Sequence, residues 1–237
     1  MHHEHIMSAF DRDLEAIQAH LMRLGGLAEQ ALRDAMTALE TSDAELATQV
    51  RAGDKALDQL EELIYDESAK LIALRAPAAK DMRLVLGAIK VAGSLERIGD
   101  YAKNIAKRSI VLSSGDQIGS AIGTLRRMSR HVETMLHDVL DAYVRLDVAA
   151  AHEIRARDED VDQIYNSLFR MLLTHMMEDP RTITSAMHLH FIAKNVERMG
   201  DHVTTIAEEL IYLVEGVRPD ERVRADKTSV TPLAQDK

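Results

Sequence analysis

Apolar residues recur at spacings of three and four over long stretches of this chain, which is the period of α-helices with one buried face. The clearest stripe is Leu84, Ala88, Ala92, Leu95, Gly99, Ala102 and Ala106. Its small side chains predict close helix packing, which offsets the cost of about 1 kcal/mol for a glycine inside a helix. Prolines occur only at positions 77, 180, 219 and 232. Because proline breaks helix interiors, the intervals between them can hold long helices. The pattern predicts six helices, at about 10–40, 43–74, 78–112, 118–146, 148–177 and 181–216. Asp11 and Asp13 make the first turn acidic, and Thr41-Ser42-Asp43 reads as a stop followed by a new cap.

The run Ser113-Ser114-Gly115-Asp116, with Gly119 and Gly123 close behind, interrupts the periodicity and marks a junction. The expected fold is all-α: a tandem pair of antiparallel three-helix bundles, residues 1–113 and 114–216. Residues 217–237 form a polar, aperiodic tail with two prolines, expected to be mobile.

Internal duplication supports the two halves. Glu96-Arg97-Ile98-Gly99-Asp100-Tyr101-Ala102-Lys103-Asn104-Ile105-Ala106 returns 101 residues later as Glu197-Arg198-Met199-Gly200-Asp201-His202-Val203-Thr204-Thr205-Ile206-Ala207. Arg51-Ala52-Gly53-Asp54-Lys55-Ala56-Leu57-Asp58-Gln59 likewise returns as Arg155-Ala156-Arg157-Asp158-Glu159-Asp160-Val161-Asp162-Gln163. Asp43 and Glu29 find counterparts in Asp147 and Glu133 at the offset of 104. Self-similarity at a fixed period indicates a repeated supersecondary unit.

Both copies keep a carboxylate, three intervening residues and a second carboxylate. Residues four apart share a helical face. Folding the first hairpin at Pro77 brings Asp54, 23 residues before it, level with Asp100, 23 after. Asp58 and Glu96, each 19 residues away, meet likewise. In the second half, Asp158 and Asp162 lie 22 and 18 residues before Pro180, and Glu197 and Asp201 lie 17 and 21 after. Four carboxylates at one level repel one another, as like charges at i,i+4 do even in isolation.

Arg97 and Arg198 point about 100° away from the preceding glutamates, so a multivalent cation is the expected counter-charge. Oxygen-only donors suit Mg, Ca, Mn, Fe and Zn. Eight carboxylates in two sets predict two sites: Asp54, Asp58, Glu96 and Asp100, then Asp158, Asp162, Glu197 and Asp201. A single Asp-x-x-x-Asp is ordinarily a solvated helix face; the duplication and matched register favour a metal role. Glu29 and Glu133 are weaker candidates.

Composition narrows the function. The net charge of −10 without a basic stripe argues against nucleic acid and against direct attachment to anionic membranes. No apolar run reaches the roughly 20 residues of a membrane span, and Met1-His2-His3-Glu4-His5 does not read as a signal peptide. The expected location is the cytoplasm. There is no cysteine for a disulfide or thiolate site. His2, His3 and His5 form an adventitious metal-binding cluster, whereas His202 has Tyr101 as its counterpart and is no shared ligand. No phosphate loop, serine elbow or cysteine nucleophile is present, so the chain does not read as an enzyme. The alternative is a carboxylate-bridged metalloenzyme, a phosphohydrolase or an oxidase, although the Glu-x-x-His of di-iron bundles is missing.

At these residues the sequence resembles the PhoU family of phosphate-uptake regulators. The resemblance spans about residues 3–215. It rests on His5-Ile6, Ala9-Phe10-Asp11, Met22, Gly25-Gly26-Leu27-Ala28-Glu29, Pro77, Asp81-Met82-Arg83, Glu96-Arg97-Ile98-Gly99-Asp100 and Glu178-Asp179-Pro180-Arg181. The run from Phe191 through Ile192-Ala193-Lys194-Asn195-Val196-Glu197-Arg198-Met199-Gly200-Asp201 to His202 is the most specific part. The chain departs from the family's Ala-Thr-Asn at Val203-Thr204-Thr205, which weakens a role for position 205 in the second site compared with Asn104 in the first.

The resemblance implies a fold of two three-helix bundles and multinuclear Fe or Zn clusters, held by the same eight carboxylates. It also implies a cytoplasmic negative regulator of phosphate uptake and phosphate-starvation signalling. Its partners would be the ATPase subunit of the high-affinity phosphate ABC transporter and the sensor histidine kinase of a two-component system. A homodimer, and membrane contact only through partners, follow from the same resemblance.

Overall fold

The computed structural model describes residues 2–113 and 118–220, with side chains from residue 9 onward. Six helices follow one another: α1 (His2–Thr41), α2 (Ala44–Arg75), α3 (Ala79–Leu112), α4 (Gly119–Arg145), α5 (Val148–Glu178) and α6 (Ile183–Glu215). Among the described residues there is no strand. Most of the junction at 113–116, and residues 221–237 of the expected tail, lie outside the described residues. α1 starts well before residue 10, because no proline or glycine between His2 and Phe10 interrupts it. α6 starts later than expected, since a 3-10 turn over Pro180–Thr182 precedes it. The Thr182 hydroxyl donates to the His175 carbonyl at 3.1 Å and closes that turn.

The duplication extends to the helix starts. Asp43 accepts from the Leu46 amide at 2.9 Å, and Asp147 accepts from the Ala150 amide at 3.0 Å. Each caps an otherwise unpaired amide of the first turn. Ser42 and Leu146, the residues before these caps, both adopt left-handed backbone, with φ of 56° and 54°.

Each half packs three helices around a core of Leu, Ile, Val, Met and Ala, in tandem bundles. The halves join where α3 meets α6 and α1 meets α4. An approximate two-fold relation is visible in the pairs. On α1–α4, Glu29 faces His137 (3.3 Å), while their counterparts Glu133 and Arg33 pair at 2.7 Å. On α3–α6, Lys90 pairs with Glu209, while their counterparts Phe191 and Arg108 form a cation–π contact at 4.3 Å. Tyr101 and His202, which are each other's counterparts, lie between them with ring centroids 5.7 Å apart.

The small-residue stripe of α3 is buried from Ala88 to Ala106, with Leu84 half-buried. A Cβ on Gly99 would lie 2.5 Å from Leu57 Cδ2, so the missing side chain sets the α2–α3 distance. Gly53, inside α2, has nothing within 4 Å of its would-be Cβ. Gly53→Ala is therefore expected to raise stability by about 1 kcal/mol. In Gly99→Ala the same helix gain is outweighed by overpacking of about 1–3 kcal/mol. Urea midpoints moving in opposite directions check this pair; a gain in both would contradict the close approach.

Candidate metal centres

The first acidic set forms on the α2–α3 hairpin, in the register the sequence predicts. Asp54 is buried and ion-paired with Lys103, while Leu57 packs on Gly99 one turn along. Asp58 stands at the surface, yet its carboxyl is held above the usual range. Partial desolvation comes first, then the neighbouring charge of Asp54; Lys103 opposes both and Asp100 adds to them. Glu96 is pushed up to about 7, by burial first and then by the charge of Asp100. Arg97 opposes the rise, while a hydrogen bond with Asp100 and the charge of Asp58 add to it. Asp54, Asp58, Glu96 and Asp100 thus form one electrostatically coupled group, and like charges in proximity hold a proton on one of them.

Cationic side chains dress this group. Arg97 reaches Asp100 at 3.3 Å and Glu96 at 3.6 Å, and Lys103 stands 3.7 Å from Asp100. Arg97 therefore does provide counter-charge. Its Cα direction differs from that of Glu96, but its long side chain bends back over the neighbouring turn.

The second set, on α5–α6, is more enclosed. Asp158 and Glu197 are buried, with Glu197 only 1% exposed, while Asp162 and Asp201 are half-buried. Gly200 admits Asp158 to the surface of α6: a Cβ there would lie 2.8 Å from Asp158 Oδ1. Lys194 pairs with Glu197 at 2.6 Å and lies 5.4 Å from the centre of the Tyr165 ring. Position 194 corresponds to Gly93 and position 103 to Thr204, so the two centres take their cations from different places.

Among the described residues, no three Asp, Glu or His side chains converge as a ready-made cation cage. The lysines and Arg97 draw individual oxygens aside. The donors are all oxygen, the kind a hard or borderline cation takes, and in the first set Asp58 and Glu96 are partly desolvated and raised by neighbouring carboxylates. Glu29 and Glu133, the weaker candidates, find their partners His137 and Arg33 on the opposite half, where they tie α1 to α4. His202 Nδ1 is buried without a hydrogen-bond partner. Burial lowers its pKa first; Asp201 opposes this and Arg97 reinforces it.

Comparison with known proteins follows the same two halves. The PhoU domain matches this chain twice, over residues 21–109 and 125–210. The chain belongs to the PhoU family. The phosphate-specific transport system accessory protein PhoU homolog of Rhizobium meliloti (strain 1021) is 45% identical over 230 residues, covering 97% of each chain. The PhoU accessory protein of Escherichia coli (strain K12) is 41% identical, covering 90% of this chain and 88% of its own. The crystal structure of PhoU from Pseudomonas aeruginosa superposes with a TM-score of 0.85 at 38% identity, over 88% of this chain and all of that one. That of the phosphate transport system regulatory protein PhoU from Streptococcus pneumoniae gives 0.83 at 29%, over 90% of this chain and all of its own.

The two PhoU domain matches begin 104 residues apart, the offset that separates Asp54 from Asp158. Each match spans one of this chain's acidic sets whole. Sequence reasoning missed Lys103 and Lys194 as counter-charges. Their i,i+3 spacing to Asp100 and Glu197 was the available signal.

Proposed function

We propose that this protein is a cytoplasmic accessory protein of phosphate-specific transport that represses phosphate uptake and phosphate-starvation signalling when phosphate is plentiful. It acts as a metal-binding adaptor between the ATPase subunit of the transporter and a sensor histidine kinase, without turning over a substrate of its own. The observation that carries this reading is the match to relatives named as phosphate-transport accessory proteins along nearly the whole length of both chains. A net charge of −10, and no described helix long and apolar enough to cross a membrane, support attachment through protein partners.

In this reading Asp54, Asp58, Glu96 and Asp100 hold one metal centre, and Asp158, Asp162, Glu197 and Asp201 the other. Fe or Zn held by these carboxylates would supply fixed positive charge to each hairpin. Glu96, whose carboxyl is pushed up to about 7, holds a proton below that pH and would have to be deprotonated to serve as a ligand. Lys103 and Lys194 pair with Asp54 and Glu197, and the missing side chain of Gly200 lets Asp158 pack against α6.

The test is a chromosomal variant in which Glu96, Asp100, Glu197 and Asp201 are all alanine, in cells growing on abundant phosphate. The expected result is full expression of phosphate-starvation genes, with the protein still helical and present at normal abundance. Normal repression by that variant would remove the metal from the mechanism.

A further inference from the structure

The chain holds 39 Asp and Glu against 29 Lys and Arg, yet residues 163–177 and 180–196 contain no carboxylate. These stretches are the facing arms of the α5–α6 hairpin near its turn. Their charged residues are Arg170, Arg181 and Lys194, joined by three histidines. The arms themselves carry no carboxylate; Glu178 and Asp179 stand at the turn, where Arg181 binds Asp179 at 2.9 Å.

The same arms expose large apolar side chains in three rungs: Phe169 with Phe191, Leu173 with Met187, and Met177 with Ile183. The register follows from the Tyr165–Lys194 contact, counting one turn at a time toward Pro180. Three rungs span two helical turns, about 11 Å. The buried side of the hairpin is already filled by Leu168, Leu172, Leu189 and Ile192, so the exposed rungs are additional to the core. Exposed contiguous apolar surface of this kind marks interaction sites.

At each level the first half has Ala or Lys in place of one of the two large apolar residues, so the fold does not need the paired rungs. The corresponding residues on α2 are Tyr65, Ala69 and Ala73, and on α3 they are Lys90, Leu86 and Met82. Composition adds a second argument. The chain has five Tyr and three Phe, and three of these eight gather here. The His190 ring lies 5.2 Å from that of Phe169 and 6.0 Å from that of Tyr165. Arg108 reaches over from α3 to hold the Phe191 ring at 4.3 Å. Pre-set aromatics with Met and Arg are the residues that dominate the centres of protein interfaces.

We propose that the outer face of the α5–α6 hairpin is a docking groove for an amphipathic helix of a partner protein that carries carboxylates beside its apolar stripe. Two adjacent helices leave a groove that accepts a third through i, i+3 and i+4 anchors. The absence of carboxylates on the arms, with Arg170 on α5 and Arg108 over the Phe191 ring, selects acidic flanks by charge complementarity. A second copy of this face would set those cations against their own mates. The overall negative charge opposes an anionic lipid surface. The three rungs include none of the eight carboxylates, and the groove stands whether or not those bind metal.

The probe is a fluorescent synthetic amphipathic helix with leucines at spacings of three and four and glutamates on both flanks, titrated with the full chain. A companion peptide carries lysines in place of the glutamates. The glutamate peptide is expected to bind at least about tenfold tighter, and the preference to reverse in Arg108→Glu/Arg170→Glu. Leu173→Glu/Met187→Glu, at surface positions, should lose both peptides while its helical signal and melting stay those of the parent. Equal binding of the two peptides, or none up to about 1 mM, overturns the proposal. So does parent-specific binding to phosphatidylserine vesicles, which assigns the face to a membrane. Self-association lost in Leu173→Glu/Met187→Glu assigns it to a second copy. A tenfold or greater gain on deleting residues 221–237 assigns it to the chain's own end.

Discussion

Lys194→Ala is expected to destabilise the chelator-treated protein by about 2–3 kcal/mol at pH 7.5, and added metal ion should restore most of the loss. The Glu197 side chain is 2% exposed and pairs with the Lys194 ammonium at 2.6 Å. Removing one member of a buried pair leaves the other charge desolvated, which costs more than the pair contributed. Lys194 is itself one-third exposed, which places the cost below the full range for buried pairs. A cation bound by Glu197 and its neighbours would take over the role of the ammonium, so the loss should shrink on loading. Combining Lys194→Ala with Glu197→Gln should also recover the parent's metal-free stability, because no charge is left uncompensated. Urea midpoints with and without metal read all three states. An equal loss with and without metal, persisting in the double variant, would assign Lys194 a packing role against Tyr165.

The second large effect concerns pH. Glu96 has its carboxyl pushed from an ordinary 4.5 up to about 7. Between these values the folded chain binds a proton that the unfolded chain has already released. Metal-free stability therefore falls as pH rises from about 4.5 to about 7 and levels off above, where the repulsion is complete. Asp58, raised for the same reasons, adds to the fall in its own range. At 22% side-chain exposure the Glu96 contribution is screened to about 2 kcal/mol. Glu96→Gln keeps the shape and removes the charge. It should flatten that slope and raise the melting temperature of metal-free protein at pH 8 by about 4–8 °C. Slopes that stay parallel in parent and variant would show that Glu96 is not a member of the coupled group.

Much of this was legible in the sequence because the decisive information is periodic. Helix spacing gave the stripe Ala88–Ala106 its buried face, Asp43 and Asp147 announced their caps, and counting from Pro77 placed Asp54 and Asp58 beside Glu96 and Asp100. Three features were not legible, for separate reasons. The start of α1 lacks a punctuating residue, so propensity alone could not place it. The bending of Arg97 back onto Glu96, and the reach of Lys103 across to Asp54 on α2, depend on long side chains whose course Cα periodicity does not specify. The ties from Glu29 to His137 and from Arg33 to Glu133 form across the two halves, and a pattern within one helix carries no information about that packing. The exposed rungs on α5–α6 were readable as apolar spacing, but exposure separates them from core only in the folded chain.

The most direct test of the central claim is elemental analysis by plasma mass spectrometry on untagged protein lacking residues 1–5, beside the Glu96/Asp100/Glu197/Asp201 quadruple alanine variant. Removing the histidine-rich start takes away adventitious binding, and the variant removes half of each carboxylate set. The account predicts stoichiometric Fe or Zn in the parent and none in the variant. Equal trace metal in both would contradict it, leaving the duplicated acidic hairpins as surfaces for recognising protein partners.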